Sequence, residues 1–118
     1  MKKFNLMITD NGQPRDLTVG LDFTPVTDGS FVGEKAWDIF AAGVQIGTII
    51  KSTGYKRIAG GWDSNKRETI WGYKAKLEGH NCAGQDYPLR ADAVHALIRV
   101  VALVNIDLIN PAVIHEGR

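Results

Sequence analysis

His80 and Cys82 stand two residues apart in a polar stretch, and they pair the two side chains most often recruited for nucleophilic or metal chemistry. A thiol beside an imidazole can be activated for attack, or the two can supply half of a metal shell. In extended backbone the i, i+2 spacing puts both on one side. Ligand counting argues against the metal, because structural zinc takes four ligands, Cys82 is the only thiol, and Asp86 or another histidine would have to complete the set. His95 falls on the polar side of a helical pattern and His115 in the C-terminal tail, positions where a solvated imidazole is the default. No Gly-x-Ser-x-Gly, His-Glu-x-x-His or phosphate-cradling glycine signature occurs, and Gly43-x-x-x-Gly47 reads as punctuation around a hairpin. The acidic residues are scattered, so no pair of carboxylates can be nominated for acid–base work. The expectation is a non-enzymatic protein with no catalytic residue, no metal ligand and no cofactor.

Charge offers more. The formal net charge of +1 conceals a segregation: Lys51 to Lys76 holds Lys51, Lys56, Arg57, Lys66, Arg67, Lys74 and Lys76 against Asp63 and Glu68, a local balance of +5, and the remainder sums to −4. Such a distribution steers an anionic partner to one side of a nearly neutral molecule. The candidate binding residues are Lys56, Arg57, Trp62, Lys66, Arg67, Lys74 and Lys76. Lysines would hold a phosphate backbone while a loop arginine and the aromatic ring of Trp62 contact bases. The competing reading is that surface lysines keep a sheet soluble and discourage edge pairing, and that Trp71 and Tyr73 belong to the core.

These residues have to be positioned by strands. Twelve of the thirteen glycines precede residue 85, so turn punctuation is confined to the first two thirds of the chain. Phe4 to Ile8 reads as a strand closed by Asn11-Gly12, a dipeptide suited to a tight hairpin. Leu17, Val19, Leu21 and Phe23 alternate with polar residues or glycine and give a second strand ending near Pro25. Thr27 to Lys35 has loop composition. Trp37 to Ala41 and Val44 to Lys51 form a hairpin about Ala42-Gly43, with Trp37, Ile39 and Ala41 on one side and Val44, Ile46, Thr48 and Ile50 sharing a side in the next strand.

Ser52-Thr53-Gly54 reads as a turn, Tyr55 to Ala59 as extended, Gly60 to Arg67 as a glycine-led loop and Glu78 to Gln85 as another. Between those loops, Thr69 to Leu77 is a strand with Trp71, Tyr73, Ala75 and Leu77 on the inner face. Lys74 and Lys76 then point outward, joined by Lys56 if its strand is the neighbour.

Pro88 to Ile109 reads as the core helix. Val94, Leu97, Val101, Val104 and Leu108 recur at steps of three and four, with Pro88 in the first turn and Asn110-Pro111 as the stop. Val100 to Val104 is apolar all round and calls for cover on more than one side; its β-branched content leaves open an added strand there or over Asn105 to Ile109. The assembled fold class is α+β: an antiparallel β-meander of four to six strands with one long C-terminal helix packed across one face in two layers.

A length of 118 residues fits a single domain that buries about two thirds of its unfolded surface without disulfide or metal. Hydrophobic residues at 44% and charged residues at 23% are those of a globular protein. Asn5, Thr9 and Asp10 interrupt any signal-peptide core after Met1-Lys2-Lys3, no apolar run approaches membrane-span length, and one cysteine suits a reducing compartment, so a cytoplasmic location and no membrane partner are expected. Strands followed by a helix, with a basic sheet, resemble in layout the small domains that read the DNA major groove with strands, such as the plant ethylene-response and phage integrase arm-binding types. That resemblance implies nucleic-acid binding through the basic sheet and loop face. The alternative is a protein-binding inhibitor or regulator, a phage- or plasmid-type accessory of the immunity or anti-defence kind, that covers an acidic protein surface or forms a homo-oligomer through the apolar C-terminal helix.

Overall fold

A computed structural model describes residues 1–27, 29 and 34–115, with Asp10, Arg57 and Ser64 described by backbone alone. Six antiparallel strands follow one another in chain order: β1 (Lys2–Asp10), β2 (Gln13–Pro25), β3 (Lys35–Ala41), β4 (Val44–Ile58), β5 (Gly61–Ala75) and β6 (Ala83–Tyr87). Helix α1 (Arg90–Asn105) packs on the curled sheet, chiefly on β5 and also on β4, β6 and β1. This is the α+β meander with a C-terminal helix that the pattern calls for. Asp28 and residues 30–33 of the loop expected over Thr27 to Lys35 lie outside the described residues.

The two hairpins expected at Asn11-Gly12 and Ala42-Gly43 form where those dipeptides stand. Asn11 and Gly12 both take positive φ, at 52° and 78°, and Ala42 and Gly43 do the same at 49° and 83°. Two consecutive left-handed residues match the twist of the flanking strands. Ala42 does this with a Cβ that disfavours it, which is the less legible of the two turns.

Inside the sheet, Leu6, Val19, Leu21, Ile39, Ile46 and Ile49 are fully buried against Val94, Leu97, Ile98 and Val101 of α1. Gly47 lets the helix approach: a Cβ there would stand 2.6 Å from Leu97 Cδ1 and 2.6 Å from the Lys74 carbonyl oxygen. The register corrects one predicted face. Ile39 pairs with Gly47 but Phe40 with Gln45, so Ile46 is an extra residue in a bulge. Beyond it Gly47 and Ile49 look to the helix, whereas Thr48 and Ile50 turn outward and Val44 is exposed. A bulge of this kind shifts alternation by one residue.

The largest correction concerns β4 and β5. Ser52-Thr53-Gly54 is no turn: these residues pair with Ile70, Thr69 and Glu68 in an unbroken ladder. Nor is Gly60 to Arg67 a loop, since the reversal is confined to Ala59-Gly60 and β5 starts at Gly61. Both strands run 15 residues, a length of about 50 Å at roughly 3.3 Å per residue, comparable to the 52 Å long dimension of the molecule. From Lys51 to Trp71 no described residue is buried. The outer part of this hairpin is therefore a ribbon wet on both faces, and its residues read as turn and loop because no core imposes a period-two pattern on them.

At the C-terminal end the helix is shorter than its apolar pattern. Pro88 precedes it, Leu89 is the N-cap, and after Asn105 the chain makes two 3₁₀ turns, Ile106–Leu108 and Asn110–Ala112. The alternative of an added strand over Asn105 to Ile109 is thereby replaced. Asn105 ends the α-helix by accepting from the Asp107 backbone N–H at 3.2 Å, and Ile109 is buried. Val113 then bridges to Val19, and the Ile114 N–H donates to the Thr18 carbonyl at 2.7 Å. The cover expected all round Val100 to Val104 is incomplete: Val101 is buried, but Leu103 is 87% exposed.

Candidate functional site

The seven candidate residues separate into two groups. Lys74 sits opposite Thr48 near the root of the β4–β5 hairpin, and Lys56 sits opposite Asp63 near its tip. Thr48 and Lys56 are eight positions apart along β4, about 26 Å of strand. Lys56 is on the neighbouring strand as expected, but it does not join Lys74 and Lys76.

The root is only partly cationic. Asp38 on β3 accepts from Gln45 Nε2 at 2.9 Å and from Thr48 Oγ1 at 3.0 Å, and Gln45 Oε1 in turn accepts from Lys76 Nζ at 3.4 Å. Lys76 is thus tied to a network that ends on a carboxylate. Lys51 lies on the other face, its Nζ 5.6 Å from the centre of the Trp71 ring, and Trp71 packs with Trp37 at 5.9 Å. The reading of Trp71 and Tyr73 as core residues holds, both being half-buried against the core cluster.

At the tip the arrangement is different. Register sets Tyr55 opposite Arg67, and the guanidinium lies 4.3 Å from the centre of the Tyr55 ring. Such stacking holds the arginine flat and leaves its edge donors outward. Asp63 accepts from the Asn65 N–H at 3.0 Å, a local turn that forms the bulge of residues 64–66 and presents Lys66 at its end. Trp62 pairs with Arg57, whose side chain lies outside the described set, and is 59% exposed. Tyr55 and Ile58 are also exposed.

Beside this ribbon runs an open groove of about 700 Å³, walled by Tyr55, Trp62, Ile70 and Pro88, with Glu68 and Asp86 also lining it. Sequence reasoning missed Tyr55, Asp86 and Pro88 as companions of Trp62. Only the register past the Ala59-Gly60 reversal brings Tyr55 across from Arg67, and Gly60-Gly61 was the one visible signal of that reversal.

His80 is exposed and bridges to Leu77, whereas Cys82 is half-buried, with its carbonyl accepting from the Ala75 N–H at 2.8 Å. Burial, and then the nearby Tyr87 and Cys82, raises the pKa of Tyr73 above that of a free phenol, so Tyr73 stays neutral in this cluster. His95 is not the solvated residue its position implied; it is half-buried, edge-on to Phe4 at 5.7 Å. Among the described residues, no three His, Cys, Asp or Glu side chains come together, and no helix is long and apolar enough to cross a membrane. His80→Ala and Cys82→Ser should leave ligand binding within about twofold of wild type, measured by titration. Stoichiometric zinc in the purified protein, lost with either change, would contradict this.

No family model, curated protein or solved structure matches the chain.

Proposed function

We propose that the protein is a non-enzymatic nucleic-acid-binding domain that contacts its ligand with the outer half of the β4–β5 hairpin. The observation that carries this reading is the ribbon tip, where exposed Lys56 and Lys66 and the Tyr55-stacked Arg67 accompany an exposed Trp62. Cations attract the phosphates at long range and hold them by counterion release. Exposed rings offer faces on which bases stack whatever their sequence. A two-stranded ribbon without a core is marginally stable by itself; here it is continued from a sheet that α1 anchors, so its contacts can be presented clear of the domain body.

The ribbon reading moves the contact away from Lys74 and Lys76. Titrating labelled single- and double-stranded oligonucleotides with the protein at low ionic strength tests it; saturable binding is expected, and no binding to either form rejects the proposal.

A second reading rests on a different observation. Between β1 and the C-terminal half of α1 lies another groove, of about 730 Å³, whose lining includes Met7, 61% exposed, and Leu103. Exposed apolar side chains lining one groove favour a protein partner or a second copy of the chain. Under this reading Leu103→Glu converts an oligomer to a monomer in sedimentation analysis. A wild-type protein that sediments as a monomer at high concentration removes the homo-oligomer.

A further inference from the structure

Granting that the ribbon binds nucleic acid, we propose that the groove beside it takes an unpaired base of a single strand, with guanine preferred and Glu68 as the group that reads it. The groove is in the size range of small-molecule sites, and its walls are largely apolar, with the rings of Tyr55 and Trp62 among them. Among the described residues, its acidic lining residues are Glu68 and Asp86, and no lysine or arginine lines it. A phosphate lodged there would face the carboxylates of Glu68 and Asp86, and like charges repel. The cations that suit phosphate stand outside, at Lys56, Lys66 and Arg67. The sugar-phosphate chain therefore follows the ribbon and the base turns inward, where a ring face meets Trp62.

The carboxylates then select among bases. A carboxylate is acceptor-only, with two oxygens side by side. Guanine offers N1–H and an N2 amino hydrogen side by side, so both oxygens are used. Thymine and uracil offer one N3–H flanked by two carbonyl oxygens that repel the carboxylate, and adenine and cytosine set a ring acceptor nitrogen beside their amino group. Asp86 already has an interaction of its own, whereas Glu68 makes no hydrogen bond or ion pair among the described residues, so Glu68 is the reading group. In a duplex the same guanine edge is taken by pairing, and for that reason the occupant is single-stranded.

The test compares a short thymidine strand, the same strand with one central guanine, the corresponding RNA strands, and the guanine strand annealed to its complement, by fluorescence anisotropy at low salt. The guanine strand should bind about tenfold tighter than the all-thymidine strand, in line with one bidentate base contact, and tighter than its duplex. Glu68→Gln should reduce that preference to about twofold or less. Trp62→Ala should weaken both single strands about tenfold. A similar guanine preference in DNA and RNA supports recognition of the base alone, and a preference confined to one of them overturns it. Equal affinity for the thymidine and guanine strands, or for single strand and duplex, overturns the inference while leaving the ribbon as a nucleic-acid contact. Absence of binding to every probe overturns the inference and the proposed function together.

Discussion

Leu97→Ala lowers the free energy of unfolding by about 2–5 kcal/mol in urea titration, whereas Arg99→Ala changes it by no more than about 0.5 kcal/mol. Leu97 is completely buried and stands over β4, where its Cδ1 occupies the space that a side chain at position 47 would need. Replacing its isobutyl side chain by a methyl removes three carbons and leaves a cavity between the layers. Arg99, two residues on and so about half a turn round the helix, is exposed. The complementary change is Gly47→Ala, which presses a methyl group against the Lys74 carbonyl as well as against Leu97. The leucine can move but the strand cannot, so a cost of about 1–3 kcal/mol is expected. Small and equal effects of Leu97→Ala and Arg99→Ala would reject this helix face.

Reversing both charges at the ribbon tip, Lys66→Glu with Arg67→Glu, reduces affinity for a single strand about a hundredfold at low salt. Counterion release contributes about a factor of ten for each phosphate contact when the salt is some tens of millimolar, and two contacts are lost. The change leaves folding intact, because both side chains are exposed and neither touches the core cluster. The matching reversal at the root, Lys74→Glu with Lys76→Glu, should cost no more than about tenfold, since Lys76 is held by Gln45 next to Asp38. Anisotropy titrations of the two double variants decide between tip and root. A larger loss at the root would return the contact to the sheet face that strand alternation alone had indicated.

Where a core is present, the fold could be read from the chain. Leu17 to Phe23 alternates because β2 is buried on one face, and Val94, Leu97 and Val101 recur because α1 buries one stripe; Asn11-Gly12 turns because its backbone demands it. Beyond the core those signals fade. Between Ser52 and Ile70 no described residue is buried, so Ser52-Thr53-Gly54 and Gly60 to Arg67 carried no strand pattern and imitated a turn and a loop. A single extra residue at Ile46 exchanged the faces of β4, and no composition marks such a bulge. The 3₁₀ turns and the bridge from Val113 to Val19 depend on where the helix ends in space rather than on periodicity.

The candidate site shows the same division. Its charges were visible as a segregated +5 segment, and Lys74 and Lys76 do stand exposed. The partition into tip and root was not visible, because it depends on the length of β4 and β5. Nor was Tyr55 under Arg67, which depends on their register.

The central claim, that the ribbon tip holds phosphates, is tested most directly by the salt dependence of binding. For wild type the logarithm of the association constant should fall linearly with the logarithm of salt concentration, and a single change of Lys66→Ala should make that slope shallower by about 1, with Trp62→Ala leaving it unchanged. A slope near zero for wild type, or one that Lys66→Ala does not alter, would contradict the account.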